Sequence, residues 1–112
     1  AHGAGLAAIW GSWARYVLDA KPQRFAQFAY RIFDLPQTGD PTVDGLRGIE
    51  AMEDYFRSIR MPVNLRELGV GELTEEQIDE LAEKCTYFGR RTIGQFKVLR
   101  KEDIKAIYRM AQ

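Results

Sequence analysis

The chain has 112 residues, with sixteen Lys and Arg against sixteen Asp and Glu, so its formal net charge at neutral pH is zero. That length fits one domain with a small core, and the 46% hydrophobic, 29% charged composition is that of an ordinary soluble globular chain. The charge balance gives no electrostatic reason to expect nucleic acid or an anionic membrane as partner, no apolar run reaches the ~18 residues of a membrane span, and the single cysteine, Cys85, excludes an internal disulfide framework and points to a reducing cytosol.

The periodicity is helical from the start. Leu6, Ile9, Trp10, Trp13 and Val17 fall at spacings of three, one, three and four, which puts them on one helix face. This opening segment has no basic n-region and is interrupted by Arg15, so it is not a secretory signal. The chain begins with Ala1 rather than methionine, which reads as a piece of a longer or processed protein. In PQRFAQFAYRIF, Phe25, Phe28, Ala29 and Ile32 repeat the helical pattern, with Pro22 suited to a first turn. DLPQTGDP is the clearest loop, since Pro36, Gly39, Asp40 and Pro41 are breakers or turn formers.

A third helix is expected from near Val43 to Ile59, with Leu46, Ile49, Met52, Phe56 and Ile59 inward. MPVNLRELGVGEL is irregular or a short turn of helix. Thr74 and Gln77 form a T-x-x-Q capping box. The helix that follows aligns Ile78, Leu81, Ala82 and Cys85, with Gly89 as its stop. RRTIGQFKVL reads mostly as loop. KEDIKAIYRMAQ closes the chain as a helix with Ile104, Ile107, Tyr108 and Ala111 on one face. No period-two alternation, βαβ rhythm or internal repeat appears, so the expected fold is an all-α bundle of about five helices. The acidic stripe Glu75, Glu76, Asp79, Glu80 and Glu83 reads as solvated surface, and the basic stretch Arg90, Arg91, Lys97, Arg100 and Lys101 as solvated loop.

The chemistry carried by the residues themselves is sparse. There is no G-x-G-x-x-G after a strand, no G-x-x-x-x-G-K-[ST], no H-E-x-x-H and no C-x-x-C. Ser12 and Ser58 have no histidine at helical reach, so no serine triad is on offer. The only histidine, His2, cannot make a tight metal site or a catalytic dyad by itself. Taken alone, these residues describe a free-standing helical interaction domain without chemistry.

Four blocks in order change that reading: HGAGLAAIWGSWARYV, RFAQFAYRIF, GIEAMEDYFRSIRMPVNLRELGV and TIGQFKVLRKEDIKAIYRMA. Together they resemble the C-terminal end of the iron-containing alcohol dehydrogenases, in particular the butanol-dehydrogenase-type enzymes. The resemblance runs over essentially the whole chain. Its most telling pieces are H-G-x-G-L-A followed by W-x-x-Y, and P-x-x-L-x-E-L-G from Pro62 to Gly69.

The resemblance implies a subunit of two parts. One is a Rossmann-like nucleotide domain, which is absent from this chain. The other is an all-helical domain, of which residues 1–112 are the C-terminal portion. The family's metal is held by an aspartate and three histidines, the last in an H-G-x-G-like turn at a helix start. His2 matches that position, and the other ligands would lie before Ala1. A neutral imidazole suits a divalent first-row metal, and the adjacent glycines allow close backbone approach. The implied cofactors of the parent are Fe(II) or Zn(II) and NAD(P), with none bound by this chain alone. The implied partner is a small alcohol or aldehyde, with self-association through apolar faces that the parent would cover.

Two positions depart from the resemblance: Gly11 stands where the family usually has proline, and Arg60 where it usually has glycine. Cys85-Thr86 resembles a segment near the catalytic cleft. Cys85 is read first as a small buried hydrophobe and second as cleft-lining. Trp10 and Trp13 are read as core rather than substrate pocket.

Overall fold

The computed structural model describes residues 2–85 and 97–112, with side chains from residue 3 onward. Among these residues the chain is helical, with six α-helices and no strand. The expected stop at Gly89, the loop reading of residues 90–96 and the basic residues Arg90 and Arg91 lie outside the described residues.

Helix α1 spans His2–Val17 and runs into a 3-10 turn, Leu18–Ala20. Its buried stripe is Ala7, Ala8, Gly11, Ala14 and Leu18, joined by Val17. The large residues expected inward stand one position round the helix, a rotation of about 100°. Leu6 is 60% exposed, and Ile9, Trp10 and Trp13 are only half-buried. Small side chains let α1 approach its neighbours closely, and the bulky ones line the margin of that contact.

Helices α2 (Pro22–Phe33) and α3 (Pro41–Ser58) pack closely together. They meet at Gly48 and Ala29: a β-carbon on Gly48 would lie 2.9 Å from that of Ala29. Asp34, at φ 53°, ends α2 in the left-handed conformation, and its N–H donates to the Tyr30 carbonyl. Asp40 caps α3, its carboxylate accepting from the N–H of Thr42 at 3.0 Å, with Pro41 in the first turn. Ile49 is fully buried, as expected. Ile32 and Ile59, also expected inward, are 64% and 52% exposed. Ile32 lies past the Ala29 contact, and Ile59 is already the C-cap of α3.

The inward face of α3 contains two charges that apolar periodicity does not reveal, Asp44 and Glu53. Asp44 accepts from the Tyr30 hydroxyl at 2.5 Å and from the Thr38 hydroxyl at 2.7 Å, so it ties the loop after α2 back onto α3. Glu53 takes both arms of the Arg15 guanidinium, at 2.6 and 2.9 Å, linking α3 to α1.

After α3, Arg60 adopts φ 62°. A single helical turn, α4 (Leu65–Leu68), is capped by the Asn64 side chain, and the N–H of Leu65 donates to the Ala111 carbonyl at 2.7 Å. Ala8, Leu65 and Ala111 form a small second core there. Helix α5 (Glu75–Cys85) starts from the expected box. The Thr74 N–H donates to Gln77 Oε1 at 2.9 Å, and the Gln77 N–H to Thr74 Oγ1 at 3.1 Å. Helix α6 (Lys101–Met110) buries Ile104 and Ile107, and Ala111 just beyond is also buried.

The acidic stripe is not simply solvated. Glu75, Asp79 and Glu83 recur every fourth residue on α5 and face Arg109, Lys105 and Lys101, which recur every fourth residue on α6. Arg109 pairs with Glu75 at 2.7 Å, Lys105 and Lys101 each with Asp79 at 3.1 Å, and Lys101 also with Glu83. Glu80 pairs with Lys84 one turn on within α5, and Glu75 stays as exposed as Glu80 despite its partner. Lys97 is also engaged: it pairs with Asp19 at 3.5 Å and lies 5.1 Å from the centre of the Tyr16 ring.

Candidate functional site

Helix α1 and helix α6 flank an apolar trough of about 520 Å³ lined by Gly5, Leu6, Ile9, Trp10, Trp13 and Tyr108. It adjoins a smaller cavity of about 140 Å³ that shares Ile9, Trp13 and Tyr108 and adds Cys85 and Leu99. The expectation that the tryptophans are core is therefore half right. Trp10 packs on Phe28 and Phe56 with ring centroids 6.0 Å apart, yet both indoles also face open space.

Gly5 lies inside a helix, where glycine costs about 1 kcal/mol against alanine, and a β-carbon there would meet nothing within 4 Å. Its contribution to this chain is to leave the trough wide at its N-terminal end. The Cys85 thiol is half-buried at the end of α5. Beside it, burial raises the Tyr108 phenol above the usual tyrosine range, with the neighbouring thiol adding to the shift. At neutral pH that leaves a neutral, largely apolar wall.

His2 is the first residue of α1, three residues before Gly5, and its side chain is outside the described residues. Among the described residues no group of three or more His, Cys, Asp or Glu side chains could hold a metal ion. The donor chemistry thus amounts to one imidazole, which suits a divalent metal but falls short of the three or four protein ligands that metal sites require. No metal-dependent step can be derived from these residues alone.

On the side of α1 away from the trough, the α1–α3 contact depends on a single glycine. A β-carbon on Gly11 would lie 2.1 Å from Glu53 Oε2 and 2.8 Å from Glu53 Cδ. Any larger residue, proline included, would collide with that carboxylate, so Gly11 and the Arg15–Glu53 pair belong together. Periodicity cannot find Glu53. The available signal was the glycine itself, facing a charged residue at an otherwise apolar helix position.

This architecture has counterparts. The signature of the Fe-containing alcohol dehydrogenase family, C-terminal, matches residues 1–112, and the chain belongs to that family. Its described helices correspond to part of that family's helical domain. Among curated relatives, it is 35% identical over 107 residues to the probable NADH-dependent butanol dehydrogenase 1 of Bacillus subtilis, covering 95% of this chain and 26% of the relative. It is 26% identical over 109 residues to NADH-dependent butanol dehydrogenase A of Clostridium acetobutylicum, covering 96% and 27%.

Among solved structures, it superposes on NADH-dependent butanol dehydrogenase A from Thermotoga maritima with a TM-score of 0.84 at 31% identity, covering 99% of this chain and 28% of that one. A 1,3-propanediol oxidoreductase follows at a TM-score of 0.81 and 27% identity, covering 100% and 28%. The chain therefore spans about a quarter of the length of its relatives. Among the described residues no helix is long and apolar enough to cross a membrane.

Proposed function

We propose that this chain works as the C-terminal helical part of a metal-dependent, NAD(P)-linked alcohol dehydrogenase that interconverts primary alcohols and aldehydes in the cytoplasm. The observation that carries the reading is the family match along all 112 residues, with relatives named as NADH-dependent butanol dehydrogenases. In it, His2 contributes one metal ligand from the first turn of α1. A divalent metal, Fe(II) or Zn(II), would supply Lewis acidity, and a nicotinamide would supply the hydride acceptor or donor.

The chain's own contribution is a scaffold and a wall. Helix α1 holds His2 at its start, and the trough from Gly5 to Trp13 offers an apolar surface beside it. Cys85 lines the smaller cavity beside it, and a small alcohol or aldehyde needs such a surface for its alkyl part. Leu6, at 60% exposure, and the half-buried tryptophans would be covered in the parent. Left open, they favour self-association at high concentration.

The test compares a full-length protein carrying this sequence with the 112-residue chain, each supplied with iron or zinc, butanol and nicotinamide. The full-length protein reduces the nicotinamide and the isolated chain does not. Turnover by the isolated chain above a metal-only blank, or none by the full-length protein, overturns the reading.

A further inference from the structure

The zero net charge of the chain conceals two faces of opposite sign. Helix α2 has two arginines and no acid between Pro22 and Phe33. Arg24 and Arg31 lie seven residues apart, two turns along one side, or about 10 Å. Between them runs an open groove of about 290 Å³, lined also by Gln27, Phe28 and Ile32. Ile32 is 64% exposed, and neither guanidinium has a partner among the described residues. The compensating acid is on α5, which carries five carboxylates against one lysine. Glu75, Asp79 and Glu83 turn to α6, which leaves Glu76 and Glu80 on the outward side. Both are exposed. Glu76 has no partner among the described residues, and Glu80 meets Lys84 in a pair whose side chains are 65% and 64% exposed. Helices α2 and α5 make no contact with each other among the described residues, so the two faces do not pair within one molecule.

We propose that these faces bind each other between copies of this chain, Glu76 and Glu80 of one molecule seated between Arg24 and Arg31 of the next. The carboxylates stand one helical turn apart, about 6 Å, and the long guanidinium arms close on them over the apolar floor of Phe28 and Ile32. Zero net charge lets copies approach without overall repulsion. The two faces differ, so the contact is head-to-tail and leads to rings or open chains rather than a two-fold dimer. Exposed pairs are individually weak and screened by salt, which confines the association to low ionic strength and high concentration. Apolar association through the α1 trough differs on this point, because screening does not weaken it. The contact uses α2 and α5 alone and is independent of the dehydrogenase reading.

Sedimentation of the 112-residue chain at high concentration tests this, at low salt and at about 1 M sodium chloride, where the Debye length has fallen to about 3 Å. The association constant is expected to fall roughly tenfold or more in salt, the loss expected from screening a few exposed pairs. The double variants Arg24→Gln/Arg31→Gln and Glu76→Gln/Glu80→Gln each lose one face and keep the other. Alone, each should lack the salt-sensitive association; mixed, they should form one-to-one complexes at low salt that grow no further. All four positions are exposed, where such changes cost little stability, and circular dichroism checks that each variant is folded. The single variants Arg31→Gln and Glu76→Gln serve if a double variant is not. A wild type that stays monomeric at low salt, association that salt leaves unchanged, wild-type association in either folded variant, or no complex in the mixture would each overturn the proposal.

Discussion

The carboxylate of Glu53 occupies the space above Gly11 where any other residue would carry its β-carbon, 2.1 Å from Oε2. Glu53 can sit there because Arg15, one turn along α1, grips both of its oxygens. The α1–α3 contact is thus a charge seated in a glycine notch rather than an apolar interdigitation. Glu53 is nearly buried while Arg15 stays about a third exposed, so desolvation offsets much of what the pair contributes to stability.

Gly11→Ala tests that seat. The added methyl has no room unless Glu53 moves, and overpacking a tight contact costs about 1–3 kcal/mol. The better helix propensity of alanine offsets at most about 1 kcal/mol of it. Urea unfolding should show net destabilisation, and Gly11→Ala combined with Glu53→Ala should recover part of the loss. If Gly11→Ala alone is as stable as wild type, the notch is not needed.

Asp44 sets an acid limit on stability. Hydrogen bonds from Tyr30, then Thr38, hold its carboxyl below the usual carboxylate range, although burial opposes the shift. Its folded pKa is depressed, so the stability it contributes is fully present above its unfolded pKa of about 3.9. That stability is lost as pH falls through the lower folded value. Stability followed from pH 5 downward should therefore decline across this window, and Asp44→Asn should flatten that part of the curve while lowering stability at neutral pH. An unchanged acid limb in the variant would mean that other carboxylates control it.

Arg60 sits at φ 62°, a conformation that costs a non-glycine residue roughly 1–2 kcal/mol. The side chain is exposed and lies just past α3. Arg60→Gly should stabilise the chain by about 1 kcal/mol, less whatever glycine gains in unfolded-state entropy. A lowered urea midpoint would show that the guanidinium makes a contact worth more than the strain.

Much of this fold was legible locally. The Thr74–Gln77 box, the buried Ile49 and the Ile104–Ile107 face of α6 all depend on neighbours within a turn or two of helix, whereas α3 starts at Pro41, two residues before the expected Val43. The rotation of α1 was not legible, because Ala7, Ala8 and Gly11 carry little hydrophobic signal and their burial reflects how closely other helices approach. The partners of Asp44 and Glu53 belong to tertiary structure: Arg15 and Glu53 are 38 residues apart. The α5–α6 pairs span 18 to 34 residues; the four-residue spacing of opposite charges on the two helices was present in the sequence, but each stripe alone reads as solvated surface. His2 was legible only through the resemblance to a family, since no period or spacing within the chain singles it out.

The central claim is that His2 holds metal in a full-length dehydrogenase carrying this chain. The decisive measurement is metal content per subunit of that protein with and without His2→Ala, after purification in the same iron or zinc buffer. Removing one protein ligand should cost at least as much as a lost outer-shell partner, about 10–100-fold in affinity. The account predicts that His2→Ala loses its metal and its turnover together while helical content and nicotinamide binding persist. A His2→Ala protein that keeps both metal and rate would contradict it.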